Sequence, residues 1–240
     1  MALEMLHPEW KKPVLGVLFD MDGVIVDTER LYTIFWQMAA NQLGYPMTRE
    51  QALGMRSLNR DTAKAKMESY FGPGTSYEAI RTRRIELMDP YVAEHGVDPK
   101  PGIYELLDAL DARGIPAAIT TSASMERAKS NLERLNLYHR FARVVQGSDV
   151  PTCKPEPEIY LYGAAQLGVP AENCIALEDS PAGILSAWRA GCMPIMVPDQ
   201  DQPDEETRTR LFARADTLLD VIRDGVKNNS LKLSSVSYLF

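Results

Sequence analysis

The feature that most constrains this chain is an alternation. Short, Val- and Ile-rich apolar runs recur between segments of helix length with one apolar face. Five runs read as buried strands: Val14–Phe19, Ile115–Thr120, Arg143–Gln146, Cys174–Leu177 and Pro194–Val197. Ile103, Leu106, Leu107 and Leu110 fall at i, i+3, i+4 and i+7, the stripe of an amphipathic helix. Met125, Ala128, Leu132 and Leu135 repeat that pattern after the second run, and Ile159, Tyr160, Ala164 and Leu167 after the third. Pro181 to Ala190 makes a shorter helix after the fourth. Strands alternating with helices of this length predict an α/β fold, a parallel sheet core with helices on both faces.

The stretch after the first strand breaks the rhythm and reads almost entirely as helix. Leu31, Ile34, Phe35, Met38, Ala39 and Leu43 form a stripe that stops at Gly44. Thr48 and Gln51 have capping-box spacing. Ala63, Met67 and Phe71 mark a further helix before Gly72-Pro73-Gly74. Ile80, Leu87, Met88, Tyr91 and Val92 mark a longer one before Gly96 and Lys100-Pro101-Gly102. This predicts an inserted α-helical domain at 28–98, interrupting an α/β domain of residues 1–27 and 99–240. Residues 227–240 lack a clear period and read as a tail.

Composition narrows the partners. In 240 residues, 26 Lys plus Arg face 33 Asp plus Glu, a net charge of −7. That balance argues against nucleic acid, whose backbone is bound by basic surfaces. No apolar run approaches the roughly 18–20 residues of a membrane span. Met1 to Lys12 lacks a signal-peptide pattern. Cys153, Cys174 and Cys192 are an odd number with no close pair, as expected of reduced thiols in a cytoplasmic protein. Nothing here distinguishes monomer from dimer.

The chemistry gathers at strand ends. The first run closes in Asp20-Met21-Asp22-Gly23, the second in Thr120-Thr121-Ser122 before a helix start. Lys154 sits between Cys153 and Pro155 ahead of the next helix, and the fourth run closes in Glu178-Asp179-Ser180-Pro181. Each cluster alone also reads as helix capping or a solvated turn. In a parallel sheet, however, all four open on the edge where ligands bind. Carboxylates suit a hard cation such as Mg²⁺. Hydroxyls, a lysine and a helix N-terminus beside it suit a phosphoryl group.

Taken in order, Asp20-Met-Asp22-Gly, Thr121-Ser122, Lys154-Pro-Glu-Pro-Glu and Glu178-Asp179-Ser180-x-x-Gly183 resemble the haloacid dehalogenase-like superfamily. The resemblance covers about residues 14–198. The insert after the first motif is similar to the branch with a small α-helical cap, which includes β-phosphoglucomutase and many sugar-phosphate phosphatases. The resemblance implies a Rossmann-like core and Mg²⁺-dependent hydrolysis of a small phosphorylated metabolite through an aspartyl-phosphate. It implies Asp20 as nucleophile and Asp22 as general acid, then base. Thr121, Ser122 and Lys154 would bind phosphate. Asp20, the Asp22 carbonyl, Asp179 and Glu178 would hold the metal. The cap loop offers Arg56 and Ser57 as substrate contacts. Hinges are expected near Val26–Thr28 and Val97–Gly102.

Within the superfamily, an acid at position 22 indicates a phosphomonoesterase or phosphomutase. The mutase pattern carries a histidine in the first cap helix where this chain has Tyr32, which favours hydrolysis. A phosphomutase and a non-catalytic phosphometabolite-binding protein remain the alternatives. His7, His95 and His139 lie in no motif, Trp36 and Trp188 read as packing residues, and Asp199 to Glu206 as a solvated acidic loop.

Overall fold

The computed structural model describes residues 3–55, 58, 60–199 and 202–223. The chain divides into two compact units, one comprising Met1–Val26 and Pro99–Phe240, the other Asp27–Asp98. Arg56, Ser57 and the 227–240 segment lie outside the described residues.

The Asp27–Asp98 unit is helical: α1 Glu29–Gln42, α2 Arg49–Leu53, α3 Arg60–Phe71 and α4 Tyr77–His95. Thr48 starts α2 with a capping box. Its hydroxyl accepts from the Gln51 N–H at 3.2 Å, and the Gln51 side chain accepts from the Thr48 N–H at 2.9 Å. Trp36, Ala39, Ala40, Met47, Ala52, Met67 and Ile80 build the unit's core. The buried face of α1 is narrower than its apolar stripe: Ile34, Met38 and Leu43 are exposed, whereas Leu31, Phe35 and the 36/39/40 row are buried. α1 packs against α4 and α2, with the Phe35 and Trp36 rings against Tyr91 and Tyr77 of α4, and Ile34 and Met38 stay outside that face. Buried Arg84 in α4 lies over the rings of Tyr32 and Trp36, 4.6 and 4.9 Å from their centroids.

The other unit carries seven strands among the described residues: β1 Glu4–Met5, β2 Gly16–Phe19, β3 Ala117–Thr121, β4 Arg143–Gln146, β5 Cys174–Glu178, β6 Met193–Met196 and β7 Ala213–Arg214. Their order is β1-β7-β6-β5-β2-β3-β4. All neighbours run parallel except β1, which is antiparallel to β7. Helices α5 Ile103–Asp111, α6 Met125–Arg134, α7 Glu158–Leu167 and α8 Pro181–Arg189 cover both faces of the sheet. Every residue of β2, β3, β5 and β6 is buried, as parallel strands covered on both sides require. The α5 stripe of Ile103, Leu106, Leu107 and Leu110 is wholly buried. Beneath α7, Gly163 brings the helix so near the sheet that a Cβ there would meet Thr120 at 2.8 Å.

Three expectations need correction. β3 begins at Ala117 rather than Ile115, because Pro116 has no N–H to give a ladder. Trp188 is exposed on α8, with the Arg210 guanidinium 5.9 Å from its ring, and is not a core residue. Asp199 is no solvated loop acid: its side chain is 5% exposed and takes the Lys100 ammonium at 2.6 Å. That pair ties the segment after β6 to the chain just beyond Pro99. There Lys100 N–H also donates to the Ile25 carbonyl at 2.8 Å. Among the described residues, no helix is long and apolar enough to cross a membrane.

Leu18, fully buried in β2, tests this packing. Leu18→Ala should lower stability by about 2–5 kcal/mol in denaturant unfolding, the range for leucine deletions in packed cores.

Candidate active site

The site is built by register. β2 lies where the strand order reverses, with β3 and β4 on one side and β5, β6, β7 and β1 on the other. In open α/β sheets the crevice beyond the strand ends at such a point receives ligands. Phe19 is aligned with Ile119 on one neighbour and Leu177 on the other. The next residues of the three strands, Asp20, Thr120 and Glu178, therefore emerge side by side. The Asp20 N–H donates to the Leu177 carbonyl at 2.9 Å, which holds Asp20 against β5.

Lys154, from the loop between β4 and α7, ties these ends together. Its ammonium donates to Asp20 Oδ1 at 2.6 Å, to Glu178 Oε1 at 2.6 Å and to the Thr120 carbonyl at 3.0 Å. Lysine has three N–H donors, and all three are used. The Tyr160 phenol from α7 also donates to Glu178 Oε1, and the Ser180 hydroxyl donates to Oε2 at 3.2 Å.

Carboxylate oxygens of Asp20, Glu178 and Asp179 lie within 4.8 Å of one another. Two glycines make room for them. A Cβ on Gly23, which has φ +84°, would sit 2.2 Å from Asp179 Oδ2. One on Gly183 in α8 would sit 2.0 Å from the Glu178 carboxyl. Asp22 lies on the turn after β2, closed by Gly23 N–H to the Val26 carbonyl at 2.9 Å. Its carboxylate Oδ2 accepts from Nη2 of Arg127 on the first turn of α6. Thr121 is buried at the end of β3, where its hydroxyl accepts from Ala123 N–H at 3.0 Å, and Ser122 is exposed beside it. Ser124, not Ser122, caps α6.

Burial pushes the Asp20 carboxyl up to about 8; Lys154 opposes the shift, and the negative charges of Glu178 and Asp22 add to it. Burial alone would lower the Lys154 ammonium, but Asp20 and Glu178 hold it well above the usual lysine range. Burial and the adjacent Glu178 raise the Tyr160 phenol, which therefore stays a donor.

Residues 17–197 match the model of the haloacid dehalogenase-like hydrolase family. The chain belongs to that family. It is 34% identical over 185 residues to hexitol phosphatase A of Escherichia coli, covering 76% of this chain and 82% of that one. It is 30% identical over 196 residues to the β-phosphoglucomutase of Bacillus subtilis, covering 78% and 84%. A hydrolase of the family from Deinococcus radiodurans, solved with bound phosphate and sodium, superposes with a TM-score of 0.71 at 28% identity, covering 92% and 99%. The chain is thus a haloacid dehalogenase-like hydrolase of the β-phosphoglucomutase-like branch.

Asp20, Lys154, Glu178 and Asp179 form one contiguous group in this hydrolase, with Asp22 on the adjoining turn and Thr121 on the neighbouring strand end. Three contacts escaped sequence reasoning. Tyr160 falls within an apolar helical stripe, and that stripe gives no sign that its hydroxyl reaches a carboxylate. Gly183 stood in the motif, but its reason, the close approach of Glu178, is geometric. Arg127 stood out in no pattern.

The charge on Asp20 gives a pH test. Without metal, the folded protein keeps a proton on this carboxyl up to about pH 8, whereas the unfolded chain loses it near 3.8. Across that window the native state binds the extra proton, so its contribution to stability, complete below the lower pH, falls as pH rises. Unfolding of chelator-treated protein from pH 5 to 8 should show this decline. Asp20→Asn should flatten it.

Proposed function

We propose that this protein is a Mg²⁺-dependent phosphatase that hydrolyses a small phosphorylated metabolite, a sugar phosphate or related monoester, through an aspartyl-phosphate on Asp20. The observation that carries this reading is the Lys154 ammonium at 2.6 Å from both Asp20 and Glu178, beside Asp179. Such a group suits a nucleophilic carboxylate that must approach an anionic phosphate. The free thiols of Cys153, Cys174 and Cys192 support a cytoplasmic setting.

The carboxylates fit a hard cation: they are oxygen donors, close together, with more negative charge than one lysine balances. Asp20 and Asp179 would hold Mg²⁺ with their side chains and Asp22 with its carbonyl. Glu178, bonded through both oxygens to Lys154, Tyr160 and Ser180, would act through water. Bound Mg²⁺ supplies charge neutralisation between Asp20 and the phosphate. Asp20 attacks phosphorus as the P–O bond to the alcohol breaks, and Asp22 gives its proton to the departing oxygen. Asp22 then takes a proton from water as that water attacks the phosphoenzyme, releasing phosphate and restoring Asp20. Thr121, the backbone around Ser122, and Lys154 hold the transferring oxygens. With a largely dissociative transition state, such positioning and neutralisation supply most of the acceleration. The helical unit is the substrate-reading cap, with Arg56 and Ser57 as its candidate contacts and hinges at the two crossings.

Hydrolysis is preferred over mutase chemistry because Tyr32 offers no imidazole, and its ring lies beneath the Arg84 guanidinium. Phosphate release from a panel of phosphorylated metabolites should require Mg²⁺ and stop with chelator. Asp20→Asn should abolish turnover, by at least about 10³-fold for loss of a nucleophile, while leaving circular dichroism unchanged. Retained turnover would exclude the assigned nucleophile. β-Glucose 1-phosphate should give glucose and phosphate if it reacts; steady formation of glucose 6-phosphate would favour the mutase.

A further inference from the structure

Asp22 can serve as acid and then base only if its carboxyl is held in one orientation while the substrate changes around it. The turn fixes its main chain: Ile25 N–H and Val26 N–H donate to the Met21 carbonyl at 2.9 and 3.0 Å, and Gly23 N–H to Val26. These bonds do not fix the side-chain torsions. The Arg127 guanidinium holds the carboxylate, through Nη2 to Oδ2.

The arginine itself is anchored. Its own N–H donates to the Ser124 hydroxyl at 3.4 Å, and Met125 N–H donates to Gln146 Oε1 at 2.7 Å, which ties the start of α6 to the end of β4. The two side chains are 36% and 18% exposed, so the pair is only partly withdrawn from water. Ion pairs with this degree of solvent contact add little to stability. Stability is therefore a poor reason for an arginine to join the start of α6 to the turn after β2. A planar fork with a fixed donor direction is a good way to hold a carboxylate rotamer.

We infer that Arg127 is a positioning residue: it sets the orientation of Asp22 and so the efficiency of proton transfer to the leaving oxygen. The inference rests on the proposed phosphatase reading, with Asp22 as the acid. In the proposed mechanism Arg127 touches neither phosphate nor nucleophile, and its effect should follow how much the leaving group needs a proton.

Two esters of similar shape separate that effect from general damage. The p-nitrophenolate of p-nitrophenyl phosphate departs without protonation, whereas the leaving group of phenyl phosphate is much more basic. Values of kcat/KM include only steps through departure of the alcohol, so they isolate the acid role from the later base role. Arg127→Met should lower kcat/KM for phenyl phosphate about tenfold, a part of the roughly 10²–10⁴ that proton transfer supplies. The value for p-nitrophenyl phosphate should stay within about threefold. Asp22→Asn should split the two esters more widely in the same direction, and Arg127→Lys should recover part of the loss. Equal losses on both esters would mean a structural or phosphate-binding role and overturn the inference. No loss, or a gain on phenyl phosphate, would overturn it too.

The pairing is also measured without turnover. The Asp22 carboxyl ¹³C resonance, assigned by its disappearance in Asp22→Asn, should move in Arg127→Met while that of Asp20 stays. An unmoved Asp22 resonance overturns the inference even if the wild type proves inactive. A wild type that releases phosphate from neither these esters nor the metabolite panel, with Mg²⁺ present, counts against the phosphatase reading instead.

Discussion

The ammonium of Lys154 meets three acceptors that come from three different strands: Asp20 after β2, Thr120 in β3 and Glu178 at the end of β5. A buried lysine loses several kcal/mol of hydration, so it is stable there only if these acceptors are in place. They are in place because Phe19, Ile119 and Leu177 share one level of the sheet. A slip of one residue in either pairing would turn the following side chain to the opposite face. Strand register and site assembly are thus one constraint, and the apolar runs that define the sheet also place the charges.

The same cluster is unbalanced by design of its composition: three carboxylates gather around one ammonium. Neutral donors relieve part of this. Tyr160 and Ser180 bond Glu178, and burial keeps the Tyr160 phenol protonated. Burial first, and the charges of Glu178 and Asp22 after it, push the Asp20 carboxyl up to about 8 against the pull of Lys154. A proton or a cation can neutralise the cluster, and only the cation leaves Asp20 ionised, as the proposed nucleophilic role requires. Burial and carboxylate crowding thus raise Asp20 together, and the proposed metal would answer the crowding.

The sheet was legible wherever a strand was long and buried on both faces. β2, β3, β5 and β6 stand out as apolar runs, and the α5 stripe predicts its buried face residue for residue. β1 and β7 were not legible, because two residues each give no period to detect. The α1 stripe overstated burial at Ile34 and Met38, since hydropathy does not reveal which side a neighbouring helix will take. Asp199 is hidden from sequence reading for a related reason. An acid in an acidic, proline-containing segment looks solvated until Lys100, far away in sequence, is placed against it.

The candidate site divides along the same line. Asp20, Asp22 and Asp179, on the turns after strands, are conspicuous because charge beside a buried strand is costly without a reason, and Lys154 stands out only by its place in the ordered motifs. Residues that support them from helices are not conspicuous. Tyr160 lies within a stripe that also packs against the core, so its ring satisfies the pattern and its hydroxyl goes unnoticed. Arg127 stands on an exposed-looking helix among other charges, Glu126, Lys129 and Glu133, where an arginine is unremarkable. What distinguishes it is the direction of the first turn of α6, fixed by Ser124 and Gln146, which aims its guanidinium at Asp22. That direction follows from how β3 and β4 lie beside β2. It is therefore a property of the assembled sheet, and no local pattern of residues carries it.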